Sequence, residues 1–267
     1  MAKRKRRQVT SGAPARSLPA KRQIDARFPS GPPPGVAGDD LTGKLIVIEG
    51  PDGSGRSTQV VLLKEWLESE GYGVATMGLR RSNLLARNID VVLAHNVVTR
   101  LTLALMYATD FYDQLQRLVI PALRAGFVVL ADRYIFSLMA RAAVRGIDRQ
   151  YLEKIYAHAV RPDVTFRFRV SPEVAFDREF SKAPVISYWE SGRDMYLADD
   201  LYHSFVQYQR LMLREFERLA KRHTFIDVDG EAPIPELNAV LRQHIATLMN
   251  IRNTRYQPTS ALRHLWR

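Results

Sequence analysis

The sequence predicts an α/β protein, with a five-stranded parallel sheet, helices on both faces and a small lid. Short apolar runs rich in β-branched residues recur along the chain, each opened or closed by glycine or proline. Segments of helical period separate these runs, and strands alternating with helices build parallel sheets. The runs are continuously apolar rather than alternating, as strands buried on both faces are. With 267 residues, 46% of them hydrophobic, the chain can form one sizeable core.

Order is expected from Lys44, where Leu45-Ile46-Val47-Ile48, between Gly43 and Gly50, reads as the first strand. Thr58–Ser69 carries Val61, Leu62 and Trp66 at helical spacing, with Gly71 past its end. Gly73–Met77 reads as a second strand. Residues 84–124 read as two helices with a break near His95–Thr99, and Phe127–Ala131 as a third strand introduced by Gly126. Helices follow over 136–145 and 148–159, then a strand over Pro162–Val170. Pro172 opens the next helix at its first turn, where proline is tolerated. A long amphipathic helix over 196–222, a fifth strand over Thr224–Val228 and a helix over Pro235–Met249 complete the domain, set at 41–250.

The flanks differ in composition. Residues 1–40 are rich in Arg, Pro, Gly, Ser and Ala, and they read as a disordered basic tail. They hold nine Lys/Arg against three acids, so +6 of the net charge of +11 lies there. A run such as Lys3–Arg7 is a solvated tail more often than a contact, with weak nucleic-acid binding the functional alternative. Residues 251–267 read as a second basic tail. No apolar run approaches the roughly 20 residues that span a bilayer, so no membrane segment is expected. No apolar stretch follows the basic start, so no secretory signal is expected either, and the cytoplasm is the expected compartment. The absence of cysteine excludes disulfides and thiolate metal sites. The six histidines show no ligand spacing.

Chemistry concentrates in Gly50-Pro51-Asp52-Gly53-Ser54-Gly55-Arg56-Ser57-Thr58, between the first strand and its helix. This is a phosphate-binding loop with arginine where lysine is usual, and it predicts a P-loop NTPase fold. Its glycines let backbone N–H groups turn inward onto phosphate oxygens, and the following helix presents its positive end to the same anion. Ser57 is expected on Mg²⁺ and Arg56 on the β- and γ-phosphates of ATP. Guanidinium forks onto oxygens but is bulkier than ammonium. The arginine is therefore compatible either with adjusted catalysis or with a protein that binds nucleotide and turns it over poorly. The third strand ends in Asp132-Arg133-Tyr134, at the carboxyl edge where open α/β sheets bind ligands. Asp132 suits the Mg²⁺ shell, and Arg133 suits a phosphate.

With both motifs in place the chain resembles the thymidylate kinase family. Gly43–Gln59, Ala122–Ser137 and Arg161–Glu173 carry the likeness, in the family's order, and it covers roughly residues 44–249. The resemblance implies a Mg²⁺-dependent enzyme, usually a homodimer, that converts dTMP and ATP to dTDP and ADP. It implies that Asp52 lies near the acceptor sugar and phosphate. Asp132 and Arg133 then serve metal and acceptor phosphate, and Arg80 or Arg81 also meets that phosphate. The loop has no arginine among Pro51–Ser54, so the resemblance implies a lid around 178–194 offering Arg178, Lys182 or Arg193, with Arg178 ranked first. Ser187–Gly192 reads either as part of that lid or as a surface loop with an aromatic clamp. Two positions depart from the family pattern. Phe111 stands where an acceptor-holding arginine is usual, and Arg141-Ala142 where a Tyr-Gln pair meets the base. Arg100, Arg117 and Arg141 are the compensating candidates. These departures motivate a kinase for another nucleotide or small metabolite as one alternative. Arg56 and the basic tails motivate a weakly catalytic nucleotide-binding or nucleic-acid-associated protein as another.

Overall fold

A computed structural model describes residues 27–36, 41–182, 186–252, 256–260 and 262–266. In chain order the elements are β1 (Lys44–Glu49), α1 (Arg56–Ser69), β2 (Val74–Gly78), α2 (Ala86–His95), α3 (Arg100–Gln114), α4 (Ile120–Arg124), β3 (Val128–Asp132) and α5 (Ile135–Ala143). Then come α6 (Arg149–Ile155), β4 (Val164–Arg169), α7 (Pro172–Lys182), α8 (Leu201–Ala220), β5 (Ile226–Asp229) and α9 (Ile234–Met249). The five strands run parallel in the order β2-β3-β1-β4-β5. β1 thus lies between β3 and β4, and the chain reverses its direction of travel across the sheet beside it. That switch point, at the carboxyl ends of β1 and β3, is where such sheets bind ligands.

Side chains on β1 alternate between two buried layers, as the two-residue period of a strand requires. Leu45 and Val47 join the larger core beneath α3, α5 and α8, with Val129, Ala131, Phe111, Tyr208 and Phe216. Ile46 and Ile48 face the other way, onto Val60, Leu63 and Trp66 of α1 and Leu241 and Ile245 of α9. Each such side chain, fully buried, contributes about 1.5–3 kcal/mol. Truncating Ile46 to alanine removes contacts on all sides and costs about 2–5 kcal/mol.

Several boundaries have visible causes. Asp200 accepts a hydrogen bond from the His203 backbone N–H, so α8 begins at Leu201 rather than at 196. Between α3 and α4, residues Leu115–Val119 form a wide π turn. Pro121 follows directly; it has no N–H to donate and crowds the carbonyl four residues back, so the helix widens there.

Parts of both flanks pack on the domain. Residues 27–36, placed in a disordered tail by composition, pack on the domain. Phe28 is fully buried in the larger core, and Arg27 pairs with Asp163 at 3.2 Å. The Arg27 carbonyl accepts the Arg161 N–H, and the Gly31 carbonyl lies 2.8 Å from His158 Nδ1. Phe28, the one aromatic residue of the first forty, supplies an anchor that composition averages away. Of residues 251–267, read as a basic tail, Tyr256 donates to Glu65 and stacks beneath Arg242, and the Thr259 N–H also reaches Glu65. The basic run Lys3–Arg7 lies outside the described residues. Among the described residues no helix is long and apolar enough to cross a membrane.

Candidate active site

The loop after β1 turns tightly enough to need glycine. Gly53 adopts φ 77°, and a Cβ there would collide with the Ala175 carbonyl of α7. A side chain at this point would therefore displace α7 from the loop.

Within the loop the Arg56 side chain folds back over its own backbone. Its Nη1 donates to the Gly50 carbonyl and the Ser54 hydroxyl, both at 2.8 Å, and to the Pro51 carbonyl. Its Nε donates to Asp132 at 3.0 Å. The other Asp132 oxygen accepts from the Ser57 hydroxyl at 2.6 Å, and Arg81 lies 3.8 Å from the same oxygen. Parallel pairing sets this meeting, since Asp132 lies opposite both Ile48 of β1 and Gly78 of β2. Burial would raise the Asp132 pKa, but the Arg56 cation and the Ser57 hydrogen bond outweigh it and hold the carboxyl below its usual range.

Beyond Asp132 the backbone turns sharply. Arg133 has φ 76°, a conformation few non-glycine residues adopt, and its N–H donates to the Ile48 carbonyl at 3.0 Å. This turn aims its guanidinium at Asp52, which also accepts from Arg141 at 2.9 Å. Asp52 is thus held between two buried cations. Burial alone would raise its pKa, yet Arg133, Arg141 and Arg56 drive it far below the normal carboxylate value. Arg133 is itself lowered to about 10, by burial first and by Arg56 second, against the attraction of Asp52.

Behind this layer sits Glu49, fully buried at the end of β1. Its carboxylate accepts the backbone N–H groups of Tyr134 and Ser137 and the Ser137 hydroxyl. It therefore caps α5 and fixes the turn that presents Arg133. Burial raises its pKa in spite of these bonds. Asp110 does the same for the loop after β2, accepting the N–H groups of Arg80 and Ser82 at 3.0 Å each.

Two clefts meet at the phosphate loop. The first, about 240 Å³, is lined by Asp52–Thr58, Arg80, Arg81, Tyr107, Asp132, Arg133, Arg141 and Glu190. Its wall is mainly charged. The second, about 450 Å³ and more apolar, runs between α7 and the start of α9, past Val174, Arg178, Gly230, Ile234 and Leu237. Gly53, Ser54, Gly55, Thr58 and Lys182 line both.

The predicted residues are distributed unevenly over this frame. Arg80 and Arg81 both line the first cleft, with Arg81 turned to Asp132 and Arg80 to Asp90. Arg178, expected over the transferred group, lines the second cleft and donates to the Gly230 carbonyl at 2.7 Å. Arg193 is exposed and lines neither. Phe111 does not reach the cleft. It is buried edge-to-face against Tyr112, Tyr134 and Tyr156, because an apolar ring on the inner face of α3 gains most by joining the core. Of the compensating arginines, Arg141 lies in the cleft, Arg100 reaches Asp194 and Arg117 pairs outward with Asp113. Residues 187–194 are clamped rather than free. Arg145 is buried and bonds both Asp194 oxygens, the Trp189 carbonyl and the Tyr208 hydroxyl, with its guanidinium 4.9 Å from the Tyr208 ring centre. Sequence reasoning misses Glu49, Tyr107 and Arg145. Glu49 alone leaves a signal, a carboxylate at the end of an otherwise apolar strand directly before the loop.

The thymidylate kinase family model matches residues 48–236. A "Probable thymidylate kinase 2" from Saccharolobus solfataricus is 35% identical over 204 residues, covering 76% of this chain and 95% of the relative. A "Thymidylate kinase" from Caldicellulosiruptor saccharolyticus is 35% identical over 150 residues, 52% of this chain and 70% of the relative. Another of that name, from Chlorobaculum parvum, is 34% identical over 153 residues, 55% of this chain and 70% of the relative. The chain belongs to the thymidylate kinase family.

Proposed function

We propose that the protein transfers the γ-phosphoryl group of ATP to dTMP, giving dTDP and ADP. The observation that carries this reading is the pair of clefts sharing one wall of phosphate-loop residues, with Asp132 and Arg133 beside it. In this reading the larger, more apolar cleft takes the ATP nucleoside, with Arg178 at its edge. The charged cleft takes the acceptor, its phosphate at Arg133 and Arg81 and its base toward Tyr107.

The acceptor phosphate is ionised at neutral pH and needs no strong base, so catalysis is alignment plus neutralisation of charge. Loop amides and Arg56 hold the β- and γ-phosphates. Lys182, lining both clefts, is the lid cation best sited for the transferred group. Ser57 and Asp132 offer one hydroxyl and one carboxylate oxygen 2.6 Å apart. That small, all-oxygen set fits Mg²⁺, which keeps waters and takes its other ligands from substrate phosphates. Bound there, Mg²⁺ would neutralise developing charge on the phosphate oxygens.

Two further parts of the proposal rest on the family and the surface. A second copy would cover the exposed apolar residues Val91, Leu101 and Leu105 of α2 and α3, and sedimentation would show a dimer. The cytoplasm is the proposed compartment.

ADP release with Mg²⁺-ATP, alone and with dTMP, dUMP, dCMP, dGMP, UMP or AMP, tests the reading. Strong stimulation by dTMP supports it. Stimulation by another acceptor keeps the mechanism and moves the substrate, an alternative that buried Phe111 and Arg141 in the acceptor cleft favour. ATP binding without acceptor-dependent ADP release overturns it.

A further inference from the structure

A third hollow, of about 370 Å³, shares no lining residue with either cleft at the phosphate loop. Its back wall is apolar. Phe136 and Met139 of α5, Tyr156 after α6 and Val160 before β4 all face it and are buried. Pro29 and Ser30 close one side. They belong to the segment over 27–36, which Phe28 anchors in the core and which lies outside the residues 48–236 matched by the family model. One wall of the hollow therefore comes from beyond the part of the chain that the family model covers.

The mouth is charged. Arg161, Arg222 and Glu153 stand there, and Glu153 pairs with Arg222. Arg161 is exposed, and its side chain has no acidic partner among the described residues. His223 lies against Phe136, with ring centres 4.9 Å apart. Burial first and Arg222 second hold its pKa below the ordinary value, so the ring is neutral at pH 7. Two arginines against one glutamate leave one net positive charge above an apolar floor.

We propose that this hollow is a binding site, separate from both nucleotide clefts, for a small molecule with an apolar body and one anionic head. The volume falls in the range of small-molecule sites, which are mostly apolar with a few placed polar groups. The body gains by leaving water against Phe136, Met139 and Val160. The head gains a charge-assisted hydrogen bond from Arg161, the cation without a partner. A cationic head would meet that same unpaired charge and be repelled. Ile135, which also lines the hollow, opens α5 two residues past Arg133, so the occupant lies against the helix turn that presents Arg133. The site does not depend on which acceptor the kinase phosphorylates.

Calorimetric titration of the full chain tests this with two acids, 1-naphthaleneacetate and octanoate, each beside its neutral amide. At least one acid should bind one to one with a Kd of about 1 mM or tighter. Its amide should bind about tenfold more weakly. The ring acid and the chain acid, ranked by Kd, show which body fits. Arg161→Gln, at an exposed position, should remove most of the preference for the acid and leave the amide unchanged. Ala157→Phe fills the hollow from a half-buried position and should weaken acid and amide together. No binding by either acid, or an acid and amide bound alike, overturns the proposal. Acid binding that survives both substitutions places the ligand elsewhere and overturns it too. Binding that appears only when residues 1–26 are removed assigns the hollow to the chain's own upstream segment. Binding that falls as protein concentration rises assigns it to a second copy. Either outcome overturns the small-molecule site.

Discussion

Arg56 Nε lies 3.0 Å from Asp132 Oδ1, so the cation of the phosphate loop and the carboxylate at the end of β3 form one buried pair. In the proposed reaction, nucleotide phosphates compete with Asp132 and with the Gly50 and Pro51 carbonyls for that guanidinium. Arg56→Ala should lower kcat by about 10²–10³, the usual cost of removing one charge-stabilising donor. Arg56→Lys keeps the charge as a compact point and should stay within about tenfold of wild type. Steady-state kinetics at saturating ATP separate the two.

Asp132→Asn keeps an acceptor for Arg56 and removes the negative charge. The Mg²⁺ concentration for half-maximal activity should rise by roughly 10–100-fold, with ATP affinity changed less. A Mg²⁺ titration at fixed ATP checks this; an unchanged midpoint would remove Asp132 from the metal site.

Glu49 gives a pH dependence of definite sign. Its folded-state pKa is raised by burial, so the folded protein binds this proton more tightly than the unfolded chain does. The stability contributed is present below the ordinary value of 4.5 and is lost as pH rises through the higher folded value. Glu49→Gln removes that loss and can still accept from Tyr134 and Ser137. Chemical unfolding at pH 4 and pH 7 should show the variant gaining on wild type at the higher pH. Glu49→Ala, which strands the donors at the start of α5, should cost about 1–3 kcal/mol at both.

Arg145→Ala leaves Asp194 buried without its guanidinium and unties residues 187–194 from α5 and α8. Removing one partner of a buried pair costs about 3–5 kcal/mol. Limited trypsin digestion should then cut at Arg193, which is exposed but held in the wild-type fold.

The parts of the site written in contiguous sequence are legible from residue order alone. Gly50–Thr58 shows itself because strand, turn and helix adjoin, and Asp132-Arg133 because it ends an apolar run. Residues that act across the fold leave little trace. Arg178 and Lys182 are four apart on α7, yet the packing of that helix against Gly53 decides which cleft each meets. Arg141 reads as one of several spare arginines, and only the placement of α5 beside Asp52 distinguishes it. Phe28 has no periodic context. Arg145 reads as one more charge after a helix, although its bonds to Asp194, Trp189 and Tyr208 make it the knot of the loop that follows α7.

Because Gly53, Ser54 and Gly55 border both clefts, two nucleotides bound at once would be immediate neighbours across a single strip of backbone. A phosphoryl group can then pass from one to the other in a single displacement, with no covalent stop on the protein. The configuration at a chirally labelled γ-phosphorus would invert, and initial-rate lines for the two substrates would intersect rather than run parallel. A single molecule carrying both nucleosides, joined through a phosphate chain of suitable length, would occupy the whole trough and compete with each substrate in turn.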